Sequence, residues 1–136
     1  MALTSPCLLK GLLPKHIAAA LAEALLAQHP PEGAAPGFSL LFGCMSRDDR
    51  TWQYCTVHPD PVEVVQHFCG PDIFAGEAVC SRLSAGAAAG GLHKDCAQDF
   101  INGHPDTQCC WGVNGIWMLT DFTEENGATH VVPPTP

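Results

Sequence analysis

A tight turn near the end of the chain constrains the fold more than any other feature. Glu124-Glu125-Asn126-Gly127 separates an apolar, strand-like run at residues 113–122 from a shorter run at 128–132. Asn-Gly accepts the positive φ angles of a hairpin turn, so the two runs read as neighbouring strands. Pro133-Pro134-Thr135-Pro136 follows and cannot continue a central strand, because proline has no N–H to give to a ladder. Glu124 and Glu125 read as a solvated turn, and Asn126-Gly127 as residues serving the turn rather than any chemistry.

Upstream the periodicity changes. Ile17, Leu21 and Leu25 repeat every four residues and predict a helix over 14–28, opened by Pro14 and stopped by His29-Pro30-Pro31. A Pro/Gly/Ala loop at 30–37 leads to an apolar run at 38–44, read as a buried strand. After a polar turn at 46–50, residues 51–57 alternate polar and larger apolar side chains. This predicts a second strand, and the two form a hairpin. A second helix follows, with Asp60 as cap, Pro61 in the first turn and Glu63 in the capping-box position. Val62, Val65 and Phe68 form its apolar face, and Gly70 ends it. Residues 78–83 read as a strand, and 84–91 are an Ala/Gly stretch without a clear assignment. The expected class is α+β or mainly β: one domain, with a helical and hairpin part over about 1–75 and strands from about 76 to 136.

Composition removes several function classes. With 46% apolar and 15% charged residues, 136 residues suffice for one cored domain. Six Lys and Arg against 14 Asp and Glu leave a net charge of -8, without the basic stripe that displaces phosphate counterions, so nucleic acid is not an expected partner. No window reaches the roughly 18 apolar residues of a membrane span. Lys10 and Lys15 interrupt the apolar N-terminal stretch, which therefore reads as mature sequence rather than a leader, and the expected location is cytoplasmic. In such a reducing compartment the eight cysteines, which include no C-x-x-C pair, read mainly as small buried hydrophobes. A small molecule is the expected partner.

Three His-x-Asp triplets carry the chemistry: His58-Pro59-Asp60, His93-Lys94-Asp95 and His104-Pro105-Asp106. On an extended strand, residues two apart share a face, so a His and a carboxylate at that spacing can grip one metal ion. They make two thirds of the 2-His-1-carboxylate set of non-haem iron(II) oxygenases. By itself the triplet is a weak signal, since seven histidines and many acids produce it by chance. His58-Pro59-Asp60 is accounted for by the helix start, and His104-Pro105-Asp106 by a loop in which proline spoils strand geometry. His93-Lys94-Asp95 has no proline and follows Gly90-Gly91; its bland alternative is a surface His beside a solvated charge pair.

Residues 114–133 resemble, nearly residue for residue, the segment that typifies the phytanoyl-CoA dioxygenase family. Asp121-Phe122-Thr123-Glu124-Glu125-Asn126-Gly127-Ala128-Thr129 is the most specific part. In that family a metal-binding His-x-Asp precedes the segment at about the distance at which His93 precedes Asn114, and Leu92-His93-Lys94-Asp95 is similar to it. The resemblance is strong from 91 to 133 and looser over 11–26 and 58–72. It implies a double-stranded β-helix, or jelly roll, holding iron(II) and 2-oxoglutarate and hydroxylating a small metabolite or lipid-type substrate. It also implies that His93 and Asp95 are iron ligands and that Trp117 lines the cosubstrate pocket. A core aromatic is the other reading of Trp117.

The sequence departs from that family in three places. The family's third ligand, a second His, and the Arg that pairs with 2-oxoglutarate both lie beyond the turn. Here Pro134-Thr135-Pro136 stands where the family continues, and His130 occupies a place where Arg is common. Gly90 and Gly91 stand where a Gln is often found. Iron(II) sits low in the Irving–Williams order and depends on ligand number. The expectation is therefore an incomplete jelly roll, a truncated or alternatively ended family member with poor or no turnover by itself. The alternative is a catalytically inactive relative serving as a binding module.

Overall fold

The computed structural model describes residues 6–27, 37–46, 50–93 and 112–132. Its elements, in order, are α1 (Lys15–Leu26), β1 (Phe38–Leu41), a 3-10 turn (Cys44–Ser46), α2 (Arg50–Thr56), α3 (Pro59–Cys69), β2 (Cys80–Leu83) and a second 3-10 turn (Glu124–Asn126). Several expectations fall outside the described residues: the His29-Pro30-Pro31 stop, most of the 30–37 loop, residues 47–49 of the polar turn, Asp95, His104-Pro105-Asp106, Cys96, Cys109, Cys110 and the closing prolines.

The four-residue repeat of α1 places Leu21 and Leu25 inside, as the sequence predicts. Leu21, Cys44 and Trp52 form the centre of the core, with Ile17, Leu41, Cys55, Cys80 and Leu119 packed against it. Fully burying a side chain of Leu size contributes about 1.5–3 kcal/mol. Among the described residues this core joins α1, α2 and the sheet.

Residues 51–57 form no strand. Residues 51–56 lie in α2, where Trp52 is buried and Cys55 is half-buried one turn on. The alternation Trp52, Tyr54, Thr56 is compatible with either period, because positions 52 and 56 also stack one turn apart. Packing decides it: a helix brings Trp52 onto Leu21 and Cys44. The Thr56 hydroxyl then bonds back to the Trp52 carbonyl at 3.3 Å. The expected hairpin between 38–44 and 51–57 is corrected accordingly. β1 pairs antiparallel with β2, from Phe38 opposite Leu83 to Leu41 opposite Cys80, and α2 and α3 lie in the intervening connection.

The end of this small sheet depends on Gly37. Its φ is +80°, its carbonyl accepts from the Ser84 N–H, and a Cβ at this position would stand 2.6 Å from the Ala87 nitrogen. Only glycine meets both demands. α3 runs two residues earlier than expected at its start. His58, not Asp60, is the N-cap, and Pro59 rather than Pro61 opens the first turn. Gly70, at φ +91°, closes it as expected.

Residues 112–132 form no strand, although they have strand-like alternation: Trp117 and Leu119 are half-buried, and Ile116, Met118 and Thr120 are exposed. The hairpin expected there is a 3-10 turn closed by Gly127 at φ +81°. Gly127 sits near the sheet, its Cβ position 3.1 Å from a methyl of Leu83.

Candidate functional site

His93 is the last described residue of the stretch after β2, and it is exposed. Its Nδ1 lies 2.9 Å from the carbonyl oxygen of Gly91. A carbonyl can only accept, so Nδ1 carries the proton, and the lone pair of the neutral ring lies on Nε2. This is the arrangement metal-bound histidines use, in which one ring nitrogen donates to a carbonyl and the other faces the ion. Gly91, noted in the sequence only as preceding the triplet and standing where a Gln is often found, supplies that carbonyl.

His58 has the opposite tautomer. Its Nδ1 accepts the Asp60 N–H at 3.3 Å, so the neutral ring holds its proton on Nε2. A ring committed in this way to a helix start is a poor metal ligand. Two His-x-Asp triplets of like sequence therefore differ in which ring nitrogen offers a lone pair, and the local backbone causes the difference.

The structure brings Trp117 together with His58 and Tyr54. The His58 ring centroid lies 5.1 Å from that of Tyr54, nearly perpendicular, and 5.8 Å from that of Trp117 at an interplanar angle of 55°. The Tyr54 hydroxyl donates to the carbonyl of Leu12 at 3.3 Å. The sequence singled out Trp117, and His58 within a His-x-Asp triplet, without linking the two or marking Tyr54. The signal for His58 was present in His58-Pro59, since the residue before a proline in a first helical turn is the natural cap.

Asn126 serves the turn, as expected. Its Oδ1 accepts from the Thr123 N–H at 2.9 Å, and its Nδ2 donates to the carbonyl of Asp121. Its own backbone nitrogen donates to the Thr123 carbonyl at 3.3 Å. Glu124 and Glu125 are exposed. The carboxyl of Glu125 is held below the ordinary range by its own backbone N–H and then by the Thr123 hydroxyl.

Elsewhere, Asp60, Glu63, Val64, His67 and Phe68 line a shallow depression along one face of α3. Among the described residues no three His, Cys, Asp or Glu side chains come close enough together to hold a metal ion. Cys44 is buried and donates its thiol to the Leu41 carbonyl at 3.3 Å, while Cys55, Cys69 and Cys80 are half-buried and Cys7 is exposed. Burial pushes the Cys55 thiol up. The expectation of buried small hydrophobes thus describes Cys44 well and Cys7 not at all. Among the described residues no helix is long and apolar enough to cross a membrane.

Comparison with known proteins adds one relation. Over 85 residues the chain is 31% identical to dioxygenase af480 of Aspergillus fumigatus, a stretch covering 62% of this chain and 26% of that protein. The chain thus spans about a quarter of the length of the curated relative it matches. No family model matches, and no solved structure matches. What is established is a distant, partial similarity to a dioxygenase.

Proposed function

We propose that this chain is part of an iron(II)- and 2-oxoglutarate-dependent oxygenase similar to the phytanoyl-CoA dioxygenases. In this reading β1, β2 and residues 112–132 belong to a double-stranded β-helix. The observation that carries the reading is the His93 ring, whose Nδ1 is taken by the Gly91 carbonyl. The similarity to a fungal dioxygenase supports the reaction class.

A neutral imidazole and a carboxylate two residues on are a donor set that suits iron(II). His93 would bind through Nε2, with the Gly91 carbonyl fixing the ring's orientation, and Asp95 would supply the carboxylate. Trp117 would border the cosubstrate. Asn126 would have no part in the chemistry, because both ends of its amide are committed to backbone groups of the turn. Such a centre supplies oxidation of a substrate carbon by O2, coupled to decarboxylation of 2-oxoglutarate. The substrate class is a small metabolite or lipid-type molecule, by resemblance alone.

Anaerobic titration of the 136-residue chain with iron(II) and 2-oxoglutarate tests this directly. The expected result is a saturable, weak visible charge-transfer band that is lost in His93→Ala and kept in His104→Ala. Loss of a residue that binds the metal directly should weaken metal binding by more than the 10–100-fold typical of losing a residue that only orients a ligand. A folded chain that gives no band overturns the reading in favour of an inactive relative acting as a binding module.

A further inference from the structure

Three stretches of chain meet at His58. Its Nδ1 accepts the Asp60 N–H and caps α3. One side of the ring meets Tyr54 at the end of α2, and Trp117 from residues 112–132 approaches it at 5.8 Å. Tyr54 is itself tied to the N-terminal stretch through the Leu12 carbonyl. The two functions of His58 use different parts of the ring: a lone pair for the cap, and the aromatic body for the contacts.

We propose that His58 is the positioning residue of Trp117. A rigid imidazole fixed at the start of α3 sets where the indole lies, while Leu119 packs the same segment onto the core. An amide or hydroxyl side chain at position 58 could cap the helix but could not hold the indole, because aromatic pairs depend on ring geometry as well as buried area. The coupling stands on the geometry alone. Its consequence for ligand binding rests on the reading of Trp117 as a border of the 2-oxoglutarate site.

Two substitutions separate the two functions. His58→Asn keeps a side chain that caps well and removes the ring, whereas His58→Phe keeps the ring and removes the acceptor. The probes are the indole N–H resonance of Trp117, identified by its loss in Trp117→Phe, and the hydrogen exchange of the Asp60 amide. In His58→Asn the indole resonance should move while Asp60 exchange stays within about twofold. In His58→Phe the resonance should stay close to its native position while Asp60 exchange rises several-fold, as loss of a cap requires. If the Phe variant does not fold, His58→Ser, which also caps, replaces it as a second ring deletion and must move the indole as Asn does. An unmoved indole resonance in the ring deletions overturns the proposal. A moved resonance with an unchanged 2-oxoglutarate KM, or with no binding of that compound at all, leaves the coupling standing and removes the cosubstrate role of Trp117. A raised KM with little change in kcat supports both.

Discussion

The sharpest consequences at the residue scale concern backbone positions that admit one side chain only. Gly37 combines a φ of +80° with a Cβ position that would overlap the backbone of Ala87. Gly37→Ala should therefore destabilise the chain by at least about 1–2 kcal/mol, the usual cost of a left-handed conformation for an L-residue, and more once Ala87 has to move. The urea midpoint measures this, and a midpoint within error of the parent's would contradict the packing described at the sheet end. Glu125 gives a prediction in pH. Its folded carboxyl titrates below the ordinary range, so the ionised form is the one favoured by folding. Its contribution is present above the ordinary carboxylate range and is lost as the pH falls through the folded value. The midpoint of Glu125→Gln should lie slightly below the parent's at pH 7, and the two should converge in acid. The effect is small because the group is exposed and screened.

The organising contact between elements is α1 against α2 and the 3-10 turn, through Leu21, Trp52 and Cys44. Leu21 is 1% exposed, and its replacement by Ala leaves a cavity among few neighbours able to fill it. Such a change costs about 2–5 kcal/mol. Against a total stability of about 5–15 kcal/mol, Leu21→Ala should shift the urea midpoint far down or abolish the cooperative transition. Exposed Leu26→Ala, on the same helix, should leave it nearly unchanged. α1 was legible in the sequence because a period of four over one face has no competing explanation. α3 was legible in extent but not in its cap, since His58-Pro59-Asp60-Pro61 offers two prolines and two plausible caps. α2 was not legible. Its residues satisfy a strand pattern and a helix pattern together, and the buried contacts of Trp52 decide between them.

The whole molecule separates what a chain can specify locally from what it acquires only by assembling distant parts. The positive φ at Gly127 follows from sequence alone, because it is a local property that glycine adopts readily, although the turn around it is 3-10 rather than the expected hairpin. So does the inward and outward alternation of residues 116–120, which needs only an extended backbone. Sequence alone also marked His93 as the ligand candidate, on its motif and resemblance. The pairing of β1 with β2 was decided by tertiary structure, because a strand carries no local record of which distant strand will satisfy its ladder. The two histidines differ instead through backbone contacts only two residues away. Of the three His-x-Asp triplets, the histidines of two are described, and the folded backbone puts a carbonyl against Nδ1 of His93 and an amide against Nδ1 of His58. A ring nitrogen's role as donor or acceptor is set by the atom opposite it, and the folded backbone decides which atom that is.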